Sequence, residues 1–168
     1  MRTEKALVVL LSLSVIVASC MRQRGASPEV ASDLHNYSTE LLKWEPKEQE
    51  IFQAIDDVEQ SEYVDDEFVV RTLKGTLPAL DEHVREVAAY QPATSQLGGL
   101  HGHYRKGWED LRAAVDSMIS AESKKDYIAL SRAKGQMTAA RGTLLKAFAS
   151  MNALMEENDQ TQKGAHPS

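Results

Sequence analysis

Five histidines, His35, His83, His101, His103 and His166, are the side chains best suited to proton transfer or metal ligation in this sequence. His101-Gly102-His103 precedes Glu109 and Asp110, so nitrogen and carboxylate donors stand close together in the chain. A metal site needs about four convergent ligands and a supporting shell, and helical sites take their pairs at spacings of three or four. A spacing of two puts His101 and His103 on different faces of a helix. His83-x-x-Glu86 has helical spacing but occurs once. The expectation is exposed loop or helix-end histidines, with no metal and no other cofactor. The adjacent acids Asp56-Asp57, Asp65-Asp66-Glu67 and Glu156-Glu157 are the second group with chemical potential. Hydrolysis by paired carboxylates needs two acids facing each other across a cleft with pKa values pushed apart. Sequence neighbours at helix ends serve as caps or solvated faces instead. Without a Gly-rich phosphate loop or a Gly-x-Ser-x-Gly elbow, the chain does not read as an enzyme.

Composition narrows the classes further. The single cysteine, Cys20, excludes an internal disulfide framework and a multi-cysteine zinc site. An apolar fraction of 42% argues against wholesale disorder, and nine glycines with five prolines argue against a loop-rich chain. A net charge of −6 leaves no footprint for nucleic acid, and 168 residues suit one domain.

The N-terminus carries an address. Arg2 and Lys5 precede an apolar run, Ala6 to Val17, broken only by Ser12 and Ser14. At twelve residues the run is short of the roughly 20 needed to span a bilayer, and it fits the core of a secretory signal. It ends in Val17-Ala18-Ser19-Cys20, which resembles the lipobox of bacterial lipoproteins. That resemblance implies cleavage before Cys20 and lipidation of Cys20, so that acyl chains anchor the protein to a membrane. Met21 stands where an aspartate would favour inner-membrane retention, which implies the periplasmic face of the outer membrane. The mature chain would carry a net charge of −7. Its tether, Met21 to Ser27, reaches about 25 Å when extended.

Four apolar stripes follow. Ser27-Pro28-Glu29 is a helix start, with a capping serine, a proline at the first helical position and an acid at the positive end of the dipole. Val30, Leu34, Tyr37, Leu41 and Trp44 recur at helical spacing, and Ile51, Ile55 and Val58 continue their register beyond Pro46. Pro46 either kinks one long helix or separates two stacked segments. Val70, Leu73, Leu77, Leu80, Val84 and Val87 make the second stripe, bent at Pro78 and stopped at Gln91-Pro92, with a loop running to Gly98-Gly99. Leu100, Tyr104, Trp108, Leu111, Val115 and Met118 make the third. Ser120 to Lys125 forms the next break, and Ser123 to Asp126 has capping-box spacing. Tyr127, Leu130, Met137, Leu144, Phe148, Met151 and Met155 make the fourth. With no alternating strand pattern, this predicts an all-α, antiparallel up-down-up-down four-helix bundle about 40–50 Å long. The expected division is a lipoprotein signal peptide over 1–19, the lipidated cysteine and tether over 20–27, the bundle over 28–158 and a disordered tail over 159–168.

Gly135, Gly142 and Ala149 recur every seven residues in the last stripe's helix. Tight packing against a neighbouring helix is the expectation, and a docking groove for a partner helix is the alternative. His103 to Phe148, opening with Tyr104-Arg105-Lys106-Gly107-Trp108, is similar to the last two helices of the small periplasmic b-type cytochromes. The resemblance implies the same antiparallel bundle. It does not imply haem, because that family holds iron with a methionine on the first helix and a histidine on the last. Leu145 stands at the histidine's place, four residues after Arg141, and the first long helix has no methionine. The function expected is that of a non-catalytic interaction module, anchored to the membrane through Cys20 and serving an envelope protein partner. A small-molecule or metal-binding sensor or carrier bundle is the alternative.

Overall fold

The computed structural model describes residues 27–59 and 66–164, with side chains as far as Asp159. Cys20, its lipobox and the tether up to Ala26 lie outside the described residues. Four helices follow in chain order: α1 (Pro28–Glu59), α2 (Asp66–Ala89), α3 (Ser95–Lys124) and α4 (Tyr127–Gly164). Successive helices pack side by side, and the chain is an all-α four-helix bundle. Among the described residues no helix is long and apolar enough to cross a membrane.

The helix ends follow local chemistry. Ser27 opens α1 as expected, its hydroxyl accepting the Val30 N–H at 3.3 Å. Pro46 and Pro78 both sit inside continuous helices, so Pro46 does not divide α1. The loop expected to reach Gly98-Gly99 is shorter: Thr94 caps α3, and both glycines are helical. The break expected over Ser120 to Lys125 contracts to Lys125 and Asp126. Lys125 turns the chain in the left-handed region at φ 53°, its N–H donating back to the Ala121 and Glu122 carbonyls. Asp126 then caps α4 by accepting the Ala129 N–H at 3.0 Å, while Ser123 belongs to α3. At the far end α4 continues through Gly164, so residues 159–164, expected as a disordered tail, are helical.

The core departs from the expected stripes in register. In α2 the buried line is Val69, Leu73, Thr76, Leu80, His83 and Val87, one position off the all-apolar reading at three points. Val70, Leu77 and Val84 flank it, half-buried. In α4 it is Ala133, Met137, Ala140, Leu144, Ala147, Met151 and Leu154. Small core residues thus recur every seven positions on α4, and Gly107, Ala114 and Ala121 do the same on α3. These two helices share the most extensive interface of the bundle. A Cβ on Gly107 would lie 2.7 Å from Leu144 Cδ2, so the absence of a side chain there lets α4 approach. The Gly135, Gly142 and Ala149 stripe was expected to pack against a neighbour, and it does not. It lies toward the outside, and a Cβ added at either glycine would meet nothing within 4 Å.

Charged residues staple the other seams. Lys47 of α1 pairs with Glu82 and Glu86 of α2 at 3.2 and 2.9 Å. Arg112 of α3 reaches Asp81 of α2 at 2.8 Å. Arg141 of α4 pairs with Asp56 and Glu59 of α1, its guanidinium lying 5.4 Å from the Phe52 ring centre. Despite that staple, α1 and α4 are not among the closely approaching helix pairs.

Candidate functional site

The loose α1–α4 seam leaves a cleft of ≈ 500 Å³. On the α1 side it is lined by Ser38, Leu41, Leu42, Glu45, Glu48, Gln49 and Phe52, and on the α4 side by Phe148 and Met155. Its walls are mostly hydrocarbon, and no lysine or arginine lines it. A second hollow of ≈ 340 Å³ continues along the same seam past Ser38 and Met155, toward Ala31, Leu34 and His35. Arg141, held over Phe52 by its two acidic partners, borders the cleft at the Phe52 end.

Glu48 gives the cleft its chemistry. It occupies the α1 register position between Trp44 and Ile51, where the pattern calls for an apolar residue, and it is only 8% exposed. A carboxylate taken this far from water needs compensation. The Tyr104 hydroxyl of α3 donates to its Oε1, and His83 Nε2 of α2 stands 3.3 Å from the same oxygen. Oε2 has no hydrogen-bond partner among the described residues. Burial and the neighbouring Glu48 charge push the Tyr104 phenol well above its ordinary range, so it serves as a fixed donor. Its ring stands edge-on to Phe148 at 5.5 Å, which ties the partner of Glu48 to the α4 wall of the cleft.

Behind Glu48 lies a cluster of rings. Trp44 stacks on Tyr104 with centroids 6.0 Å apart, and Trp108 meets His83 edge-on at 4.2 Å. Neither His83 nitrogen has an aligned hydrogen bond, and neither does the buried Trp108 indole N–H. His101 is better served. Its Nε2 donates to the Val87 carbonyl at 2.9 Å, which leaves Nδ1 to accept the Tyr37 hydroxyl at 3.0 Å. Burial lowers its pKa below the ordinary 6.5, and Arg105 adds to this. Burial also raises the Tyr37 phenol, with help from Tyr90 and Glu48.

This arrangement corrects the expectation of exposed histidines at two positions. His83 and His101 are core residues, placed inward by the α2 and α3 registers, while His35 and His103 are exposed. His101 and His103 diverge, as their spacing requires. Glu109 and Asp110 pair with Arg105 and Lys106 instead of joining them. Glu86, three residues after His83, turns outward to Lys47. Among the described residues no group of three or more His, Cys, Asp or Glu is placed to hold a metal ion. Of the adjacent acids, Asp56 pairs with Arg141 and Asp57 accepts the Gln53 amide, so neither faces a second acid across a cleft.

Iron held by a methionine on the first helix and a histidine on the last does not fit these residues. Leu145 is 69% exposed, the cleft lining contains no histidine, and its one sulfur, Met155, is on α4. Compared with known proteins, the chain matches no family model, and no curated protein or solved structure is significantly similar to it. The fold and the cleft define a class, a four-helix bundle with a cleft along its α1–α4 seam.

Proposed function

We propose that this chain works by binding, not by catalysis, as a bundle tethered to the bacterial cell envelope through a lipid on Cys20, and that the α1–α4 cleft is where it binds. The observation that carries the binding reading is the cleft itself. Its ≈ 500 Å³ volume lies within the range of small-molecule sites, and it joins apolar walls to one buried polar group. The lipidation reading rests on the Val17-Ala18-Ser19-Cys20 sequence and places the binding domain within tether length of a membrane. This favours the carrier or sensor reading over a purely structural bundle. A protein partner in the envelope is the second reading, supported by Leu42 and Leu145, both more than two-thirds exposed, and by Ile128 at 77%.

Native mass spectrometry of protein purified from its own host tests the first reading. The expected result is a ligand mass above that of the processed chain, lost in a Leu42→Lys variant that puts a positive charge on the apolar wall. Leu42 is exposed enough for this substitution to leave the core intact. A bare wild-type mass, together with no saturable uptake of either the neutral fluorophore N-phenyl-1-naphthylamine or a cationic phenylalkylammonium, would remove the cleft as a binding site.

A further inference from the structure

The cleft has a charge preference that follows from its lining. Both protein contacts to Glu48 use Oε1, from the Tyr104 hydroxyl and from His83 Nε2 at 3.3 Å. Oε2 remains, on a side chain that lines the cleft and is about nine-tenths buried. Glu45 adds a second acid to the lining, its Oε1 accepting the Gln49 amide at 3.1 Å, and no lysine or arginine opposes the two. Arg141, over Phe52 at the end of the cleft, is already committed to Asp56 and Glu59. An anionic head would meet Glu48 with no cation to offset it, a neutral body without a donor would leave Oε2 desolvated, and a neutral hydroxyl would offer a bond without charge assistance. A cation with N–H donors satisfies both conditions, while its apolar body covers Leu41, Leu42, Phe52, Phe148 and Met155.

We infer that the α1–α4 cleft takes a free small molecule with an apolar body and an ammonium head, and that the ammonium donates to Glu48 Oε2. This rests on the cleft-binding reading above and adds the ligand's chemical class to it. Glu48 acts here as a recognition residue, held in place by Tyr104.

The test is calorimetric titration of the full processed chain, held in zwitterionic nanodiscs with empty discs as the blank. The probes are a matched set: 4-phenylbutylammonium, 4-phenylbutanol and 4-phenylbutanoate. The expected result is ammonium binding at least about tenfold tighter than either analogue, the factor that a charge-assisted hydrogen bond supplies. Glu48→Gln should erase that preference while the alcohol still binds, and Glu50→Gln, on the exposed surface of α1 outside the lining, should leave the ranking intact. Equal binding of all three probes, or tightest binding of the carboxylate, overturns the ammonium assignment and leaves the cleft reading standing. No binding of any probe removes both. If Glu48→Gln loses the alcohol as well, the wild-type ranking at about 1 M salt decides, because the screening length there is about 3 Å. A ranking that survives reports pairing with the buried carboxylate. A ranking that collapses reports surface attraction and overturns the assignment.

Discussion

Asp33 of α1 accepts both the backbone N–H and the hydroxyl of Thr94, each at 2.7 Å, across 61 positions of sequence. Its other oxygen takes the Ala93 N–H at 3.0 Å. Thr94 in turn caps α3, so one carboxylate fastens the start of the first helix to the start of the third. Burial alone would raise the Asp33 pKa, but the bonds from Thr94 and Ala93 outweigh it and hold the carboxyl below its ordinary 3.8.

Asp33→Ala should therefore destabilise the bundle by about 2–4 kcal/mol, because it strands buried donors as well as removing an acceptor. The folded-state pKa is depressed, so this stabilisation is fully present above the unfolded value near 3.8 and is lost as pH falls through the folded value. Urea midpoints of wild type and variant should converge on acidification from pH 7 to below about pH 3. A difference that does not narrow would contradict the ionised latch.

His101 supplies a second pH dependence, in a higher window. Its folded-state pKa is also depressed, so its contribution is complete above the unfolded value of 6.5 and declines as pH falls from there toward the folded value. Stability should drop between about pH 7 and pH 5, and less steeply in His101→Gln, which has no titrating group there. Nitrogen NMR should find the neutral imidazole carrying its proton on Nε2 and titrating below the ordinary 6.5. A ring that titrates above 6.5 would refute the assignment.

Two glycine substitutions of the same kind should have opposite signs. Gly107→Ala gains helix propensity worth about 1 kcal/mol, but its Cβ meets Leu144 Cδ2 at 2.7 Å and the Leu144 backbone nitrogen at 3.3 Å. Because Leu144 is buried, overpacking should win, for a net loss of about 1–2 kcal/mol. Gly135→Ala meets nothing within 4 Å and should stabilise by about 0.5–1 kcal/mol. Thermal melts of the two variants would show it. A stable Gly107→Ala protein would mean that α3 and α4 separate more readily than their small-residue interface implies.

The proposed anchor is tested at Cys20. Cys20→Ser should move the protein from the membrane fraction to the soluble fraction or leave it unprocessed. Retention equal to wild type would sink the lipid assignment.

The helices themselves were legible because Ser27, Pro28 and the recurrent apolar residues each act through neighbours within a turn. The site was not, because its polar members occupy core positions whose justification is distant in sequence. Counting apolar residues favours Leu77 and Val84 over Thr76 and His83, and nothing local shows that His83 lies beside Glu48. A signal did exist at Glu48: it completes the 4-then-3 spacing between Trp44 and Ile51, and an acid in that slot marks a place where the core needs charge. The small residues misled for a related reason. Ala133, Ala140 and Ala147 share the seven-residue period of Gly135, Gly142 and Ala149, and only the partner helix decides which set faces inward.

The two-residue turn at Lys125 and Asp126 also sets an order of assembly. It closes the smallest possible loop between the two helices with the most extensive interface, so the α3–α4 hairpin gathers native contacts at little cost in chain entropy. The seam between α1 and α4 must wait for residues such as Asp56 and Arg141, 85 positions apart, to find each other. The joint that holds the cleft is therefore expected to form last.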